Sequence, residues 1–272
     1  MLEVTDLHAR YGQAEVVRGI SLQVAPGEAV ALVGANGAGK TTLLRAIGGL
    51  HRARRGSISL DGDDISSAST VNTARAGVVL VPQGRRLFGS LTVLEHIRLA
   101  ESRRSSRAGL TSSDVLDFFP QLAQRAGVRA GSLSGGEQQM LAITRAVLQR
   151  PRYILLDEPT EGLSPAMVKV VSGLVTELPG RGLGLLITEQ SVVSHVLSTA
   201  ARHMTMDRGQ LGQGSSASAV AALPVLGGPP ARSVTPSVRE PRTTPPSTRL
   251  RRWMPELGRP QTSRPQILRE EL

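Results

Sequence analysis

A glycine-rich turn, GANGAGKT at residues 34–41, has the residue types and the spacing that bind phosphate. It matches the pattern G-x-x-x-x-G-K-[ST] between an apolar segment and a helix-forming one, which is the context of a P-loop. The glycines let backbone N–H groups close around phosphates, and the N-terminus of the following helix adds partial positive charge. We expect Lys40 to contact β- and γ-phosphates and Thr41 to ligate Mg²⁺. The predicted nucleotide-binding residues of this turn are Gly34, Asn36, Gly37, Gly39, Lys40, Thr41 and Thr42.

Two adjacent acids, Asp157 and Glu158, follow the apolar run YILL. Such a run predicts a buried strand, and α/β sheets bind their ligands at the carboxyl ends of strands. Asp157 is therefore a candidate for the Mg²⁺ shell, and Glu158 is a candidate general base for a water in line with the γ-phosphate. Adjacent acids after a strand are often ordinary loop residues, but a P-loop in the same chain favours the catalytic interpretation.

A second glycine-rich turn, LSGGEQQM, begins at Leu133 and precedes another helix-forming segment. Ser134, Gly135 and Gly136 would lie at the N-terminus of that helix, where backbone N–H groups attract anions. The chain therefore carries two predicted anion sites that are far apart in sequence.

The remaining segments predict the elements that position these residues. Residues 2–11 and the segment GISLQV predict strands, and PGEAVALVG predicts a buried strand that ends at Gly34. GSISLDGDDI contains an Asp-Gly turn. Short apolar strands (AGVVLVP, RYILLD and LGLLIT) alternate with helical segments such as KTTLLRAI and GGEQQMLAITRAVLQR, which indicates a parallel α/β core. Residues 92–130 are predicted to be mostly helical with a polar break.

Composition restricts the class of protein. The chain has 272 residues and no cysteine, which excludes disulfides and thiolate metal sites. Its first ten residues place acids where the apolar core of a signal peptide would lie, and no apolar run approaches the ~18 residues of a membrane span. We therefore expect a soluble protein.

The formal charge of +10 is concentrated near the C-terminus. Residues 227–272 hold nine Arg, four Glu and nine Pro, with no sustained period of 2 or 3.6. This composition predicts a disordered tail, and residues 1–226 are predicted to form the folded domain. Such a tail could bind anionic lipid or RNA. Composition favours a solvated extension without a specific partner, so we expect no specific nucleic-acid partner.

These motifs together resemble those of the ATP-binding cassette (ABC) ATPases. Residues 34–41 match the Walker A motif, ILLDE matches the Walker B motif, and LSGGEQQ matches the signature that distinguishes this family from other P-loop proteins. The resemblance covers about residues 1–215. VPQGRRLFGSLTVLEHIRLA and LLDEPTEGLSP are most similar to the ATPase subunits of branched-chain amino acid importers and their urea or amide relatives.

The resemblance implies an α/β fold with a RecA-like core, an N-terminal antiparallel β portion and a helical subdomain at about residues 85–150. It also implies that two ATPase domains, identical or different, close head to tail over two ATP molecules. Ser134, Gly135 and Gly136 of one subunit would then cap the γ-phosphate on the P-loop of the other.

Other family positions carry over residue by residue. Tyr11 lies where the family places an aromatic ring against adenine, although an ordinary tyrosine at a strand end is the alternative. Gln83 matches the glutamine that contacts Mg²⁺ or water and the membrane subunit, and a polar turn residue is its alternative. Residues 161–164 match the D-loop, but Ser164 replaces the usual Asp, which puts communication between the two ATP sites in doubt. Gln190 stands where most of the family has His. Gln can donate a hydrogen bond but cannot carry charge, and we interpret it as a trait of the subfamily.

The sequence thus predicts an ATPase that uses ATP and Mg²⁺ as the motor of a membrane importer, at the cytoplasmic face of the cell membrane. Permease subunits and an external binding protein would choose the substrate, with branched-chain amino acids expected and urea or short amides as the alternative. Two other classes remain open. A soluble ABC protein of ribosomes or DNA usually has two cassettes or long coiled coils, and a regulatory module without turnover would not need both acids.

Overall fold

The computed structural model describes residues 1–103, 107–190 and 200–212. The apolar runs form the centre of a six-stranded sheet with the order β10-β9-β3-β8-β7-β6. Strands β9 to β6 in that order are parallel, and β10 is antiparallel to β9. The strands are β3 (Ala29–Val33), β6 (Val78–Val81), β7 (Tyr153–Asp157), β8 (Gly184–Glu189), β9 (Arg202–Asp207) and β10 (Gln210–Leu211).

A second sheet contains four antiparallel strands in the order β2-β1-β4-β5. The strands are β1 (Leu2–Tyr11), β2 (Ala14–Val24), β4 (Arg55–Leu60) and β5 (Asp63–Asp64). Asp61 and Gly62 join β4 to β5 with φ angles of 53° and 91°. Positive φ at both central residues is the requirement of the hairpin turn that an Asp-Gly pair predicts. The predicted strand at residues 2–11 and this turn are confirmed.

Seven α-helices and one 3₁₀ turn connect the strands in the part of the chain that the structure describes. They are α1 (Lys40–Ile47), α2 (Thr70–Ala76), α3 (Val93–Ser102), α4 (Ser112–Phe118), α5 (Pro120–Gln124), the 3₁₀ turn Ala130–Ser132, α6 (Gly135–Leu148) and α7 (Pro165–Gly180). Helices α3, α4 and α6 each begin with a capping box, in which a Thr or Ser and the acid three residues later satisfy each other's backbone N–H. None of the described helices is both long enough and apolar enough to span a bilayer.

The main sheet is buried on both faces. In β7, Ile154 and Leu156 belong to the hydrophobic core beside α3 to α7, whereas Leu155 belongs to the core shared with α1 and the antiparallel sheet. All five residues of β7 are buried, as are those of β3. A strand that is covered on both faces has no polar side, so its sequence is a continuous apolar run.

The α/β core and the N-terminal antiparallel portion agree with the prediction from sequence. Helices α3 to α6 lie within the region predicted as helical, and the extent of that subdomain, about residues 85–150, stays a prediction. The sequence patterns did not predict α2, α7, β9 or β10. The predicted tail at residues 227–272 and its boundary with the domain lie outside the described residues.

Candidate ATP-hydrolysis site

The glycine-rich turn joins β3 to α1 and is closed by its own lysine. Lys40 Nζ donates hydrogen bonds to the carbonyl oxygens of Gly34, at 2.6 Å, and Ala35, at 3.2 Å. The side chain is only 4% exposed. Lys40 therefore lies across the turn, with its ammonium held by the carbonyl oxygens at the start of the turn.

Gly39 shows why the last glycine of the turn is needed. Its φ of 106° is in the region that favours glycine, and a Cβ atom there would lie 2.7 Å from the carbonyl oxygen of Val16 and 2.8 Å from Met206 Cε. The turn is therefore packed between β2 and β9, and a side chain at this position would displace one of them.

Asp157 ends β7 with one oxygen bonded and one without a hydrogen bond. The hydroxyls of Thr41 and Thr188 both donate to Oδ1 at 3.0 Å, whereas Oδ2 is buried and accepts no hydrogen bond of normal geometry. Burial raises the pKa of Asp157, and the hydrogen bonds from Thr41 and Thr188 partly offset that rise. A buried carboxylate oxygen without a donor, next to a threonine hydroxyl, is a donor set suited to a hard cation such as Mg²⁺.

Glu158 follows in a left-handed backbone conformation, with φ of 48°. Its Oε1 lies 3.2 Å from Lys40 Nζ, and its Oε2 accepts a hydrogen bond from Gln190 Nε2 at 2.8 Å. Its backbone N–H donates to Thr188. The carboxylate is therefore held between the P-loop lysine and the residue that follows β8.

These side chains surround a cleft of about 300 Å³. Gln83 also lines the cleft, and its Nε2 donates to Glu161 Oε2 at 2.6 Å. The sequence-predicted residues that line the cleft are Asn36, Gly37, Gly39, Lys40, Thr41, Thr42, Gln83, Glu158 and Gln190. Asp157 adjoins them through Thr41, and Gly34 adjoins them through Lys40.

The second glycine-rich turn is not part of this cleft. Ser134 is the N-cap of α6, where its hydroxyl accepts from the backbone N–H of Glu137 and its own N–H donates to the Glu137 carboxylate. Ser134, Gly135 and Gly136 are absent from the residues that line the cleft in the described part of the chain. Within one subunit, the two predicted anion sites are therefore separate.

Tyr11 lies outside the lining of the cleft as well. Its ring is 4.5 Å from the ring of His51, centroid to centroid, and its hydroxyl accepts a hydrogen bond from Arg45 at 3.4 Å. Tyr11 as a residue remains 46% exposed.

Ser164, at the end of the predicted D-loop, is the N-cap of α7.

Glu189 and Thr188 are buried polar residues of this region that the sequence patterns did not predict as part of the site. Glu189 is 6% exposed and accepts a hydrogen bond from the Thr160 hydroxyl at 2.7 Å. Burial raises the pKa of the Glu189 carboxyl, while the bond from Thr160 lowers it and Glu158 raises it further. An acid at the end of a buried strand, the signal that identified Asp157, is also present at Glu189, with Thr188 between it and the apolar run.

Comparison with known proteins identifies the family of the chain. The family profile for ABC transporters matches residues 17–161, more than half of the chain. The chain belongs to the ABC transporter family. It is 36% identical over 212 residues to the high-affinity branched-chain amino acid transport ATP-binding protein BraG of Pseudomonas aeruginosa, covering 78% of this chain and 91% of BraG. It is also 36% identical over 195 residues to the lipopolysaccharide export system ATP-binding protein LptB of Haemophilus influenzae, covering 71% and 81% of the two chains.

Solved structures of ABC transporter cassettes have the same fold. The ADP conformation of MJ1267 superposes with a TM-score of 0.71 at 25% identity, over 81% of this chain and 93% of that one. The dimeric structure of MJ0796 superposes with a TM-score of 0.70 at 23% identity, over 78% and 97%. This ABC protein is therefore an ATP-binding cassette ATPase of a transporter, as the sequence predicted.

Glu189→Gln should stabilise the protein at neutral pH. The raised pKa means that the folded state binds the Glu189 proton more tightly than the unfolded state does, so stability falls as pH rises from the unfolded toward the folded pKa. Glutamine keeps an acceptor for Thr160 and removes the buried charge. Urea denaturation should give a higher midpoint for the variant at pH 7.5, and the difference should shrink on acidification. Glu177→Gln, at an exposed position of α7, is the control. If Glu189→Gln lowers stability equally at pH 7.5 and at acidic pH, the raised pKa of Glu189 would be contradicted.

Proposed function

We propose that this ABC ATPase hydrolyses Mg·ATP in the cleft around Lys40 and powers a membrane importer of branched-chain amino acids. The convergence of Lys40, Asp157 and Glu158 is the observation that supports the site most strongly. The P-loop lysine lies 3.2 Å from Glu158, and Thr41 donates to Asp157 at 3.0 Å. A P-loop, a metal ligand and a base in one cleft are the parts that phosphoryl transfer needs.

Each residue has a defined task in this proposal. Asn36, Gly37, Gly39, Lys40, Thr41 and Thr42 hold the phosphates, and Thr41, Gln83 and Asp157 would hold Mg²⁺. When bound, Mg²⁺ supplies charge neutralisation at the β- and γ-phosphate oxygens. Tyr11 offers its exposed face to the adenine ring.

Lys40 and Glu158 exchange partners when nucleotide binds. In the structure the ammonium of Lys40 neutralises the carboxylate of Glu158. Phosphate oxygens compete for the ammonium, so Lys40 moves to the nucleotide and Oε1 of Glu158 becomes available to a water. Gln190 stays on Oε2 and orients the carboxylate. Since glutamine is neutral, it orients the base without placing a second positive charge beside it, as a charged histidine would.

The transported substrate is inferred from the relatives. BraG is named for branched-chain amino acid transport, and LptB for lipopolysaccharide export. The segments VPQGRRLFGSLTVLEHIRLA and LLDEPTEGLSP favour the amino acid importers, with urea or short amides as the second candidate. Permease subunits at the cytoplasmic face of the membrane would receive the energy of hydrolysis, and an external binding protein would deliver the substrate.

Co-purification tests the importer assignment. We expect the tagged full chain, extracted from gently solubilised membranes, to carry permease subunits and a second ATPase subunit. Vesicles containing the complex should take up leucine, isoleucine or valine in the presence of ATP. Uptake of urea alone would move the assignment to the second candidate, and a complex with ribosomes or DNA would contradict transport.

Glu158→Gln should bind ATP and fail to turn it over. The substitution removes the base and leaves Lys40 and the P-loop in place, so steady-state hydrolysis should fall by about 100-fold or more. Phosphate release and nucleotide binding measured on the same preparation separate the two effects. Turnover within a few-fold of the unsubstituted protein would remove Glu158 from the mechanism.

The separation of the two glycine-rich turns favours a shared active site between two chains. Ser134, Gly135 and Gly136 do not line the cleft that holds Lys40 within one subunit. Helix N-termini attract phosphate, and the dimeric MJ0796 cassette has the same fold. The signature turn of one subunit is therefore proposed to cap the nucleotide on the P-loop of its partner.

Mixing two inactive variants tests this shared site. In a Glu158→Gln background, Lys40→Ala and Ser134→Arg should each abolish ATP-dependent association alone. The mixture should form a heterodimer with both lesions in one site and the other site intact, retaining about one nucleotide per dimer. Light scattering measures the association of the chains, and nucleotide quantification measures the number of nucleotides bound per dimer. A Ser134→Arg protein that associates normally on ATP would contradict the trans arrangement.

A further inference from the structure

One hydrogen bond in the cleft joins the loop after β6 to the loop after β7. Gln83 follows β6 and Glu161 follows β7, 78 residues later, and the amide Nε2 of Gln83 donates to Glu161 Oε2 at 2.6 Å. Both side chains line the cleft with Lys40. The contact therefore lies beside the metal and phosphate groups.

The chemistry of this pair determines the orientation of the glutamine. A carboxylate accepts hydrogen bonds and cannot donate them, so the nitrogen end of the Gln83 amide must face Glu161. The carbonyl oxygen then occupies the opposite end of the amide. Mg²⁺ takes oxygen ligands, so only this orientation presents a usable ligand on the side away from Glu161.

The loop that carries Glu161 is anchored in the buried part of the site. The N–H of Glu161 donates to the carbonyl of Glu158 at 3.2 Å, and the hydroxyl of Thr160 donates to the buried Glu189 at 2.7 Å. Glu161 is therefore held on a turn in which Glu158 and Thr160 are hydrogen-bonded to β8.

We propose that Glu161 is a positioning residue for the Mg²⁺ site, because its carboxylate holds the nitrogen end of the Gln83 amide and leaves the oxygen end for the metal. This inference rests on the Mg·ATP part of the proposed function and does not depend on transport. Partners that orient a metal ligand commonly contribute substantially to metal affinity.

The coupling between Mg²⁺ and nucleotide measures this effect without turnover. The full chain is titrated with a fluorescent non-hydrolysable ATP analogue, once with Mg²⁺ and once with EDTA. The Kd in EDTA divided by the Kd in Mg²⁺ is the coupling, and any effect of Glu161 that is equal for the two forms of the nucleotide cancels in it. We expect Glu161→Ala to lower the ratio by about tenfold, the lower end for such partners, because both side chains are exposed.

A double-mutant cycle shows whether Glu161 acts through Gln83. Gln83→Ala should lower the ratio at least as much as Glu161→Ala, and the double variant should be no worse than Gln83→Ala. Glu161→Gln, which can accept or donate, should fall between the unsubstituted protein and Glu161→Ala. Glu177→Ala removes an exposed acid of α7 and should leave the ratio unchanged.

Three results would overturn the proposal: an unchanged ratio in Glu161→Ala, an unchanged ratio in Gln83→Ala, or equal further losses from Glu161→Ala with and without Gln83. Binding of the analogue in EDTA shows in the same titration that each variant is folded. A transport assay that fails while the Mg²⁺ coupling follows the expected cycle would contradict the importer assignment alone.

Discussion

The burial of three charged groups at the end of the main sheet is the constraint on which the rest of the site depends. Lys40, Asp157 and Glu158 are all buried, with exposed fractions of 4%, 2% and 8%. Removing such charges from water costs several kcal/mol each unless neighbouring groups compensate. Here the Lys40 ammonium contacts the Glu158 carboxylate and two backbone carbonyl oxygens. Two threonine hydroxyls donate hydrogen bonds to Asp157. The remaining oxygen, Asp157 Oδ2, is the place where compensation is incomplete and where a cation would bind.

The strand order explains how residues more than one hundred positions apart share this site. Strand β8 lies between β3 and β7, so the P-loop and the acids of β7 reach the cleft from the two sides of the β8 end. The registers pair Val33 with Glu189 and Asp157 with Thr188. Thr188 and Gln190 can therefore form hydrogen bonds with the two acids at the end of β7. Glu189 can bond to the loop that follows these acids. All of these groups lie at the carboxyl ends of parallel strands, where ligands of α/β sheets bind.

The two glycine-rich turns are held by different contacts. The first is closed by Lys40 and packed so tightly at Gly39 that no side chain fits. The second begins a helix whose Ser134 hydroxyl is already used in a capping box with Glu137. The first four N–H groups of a helix have no acceptor within the helix, so this capping leaves donors for an external anion. One subunit thus contains the proposed phosphate site and a separate helix end for which we propose the role of a cap.

The sequence by itself determined the local chemistry of this protein. The P-loop pattern, the apolar run before Asp157 and the Ser-Gly-Gly helix start depend on contacts between near neighbours, and local patterns record such contacts. The apolar strands of the core could be predicted for the same reason, since burial on both faces removes the polar alternation. Strand β9, RHMTMD, mixes polar and apolar residues, and its place beside β3 comes from long-range pairing that no local pattern records.

Only the tertiary structure decided which groups meet. The pairing of Lys40 with Glu158, of Gln190 with Glu158 and of Gln83 with Glu161 joins residues between 32 and 118 positions apart, and it follows from the order of the strands. The burial of Glu189 had the same origin, because its side chain sits in the space between β8 and the loop after β7. Sequence spacing carries the identity of a side chain, whereas its protonation, orientation and partner depend on the neighbours that folding brings to it.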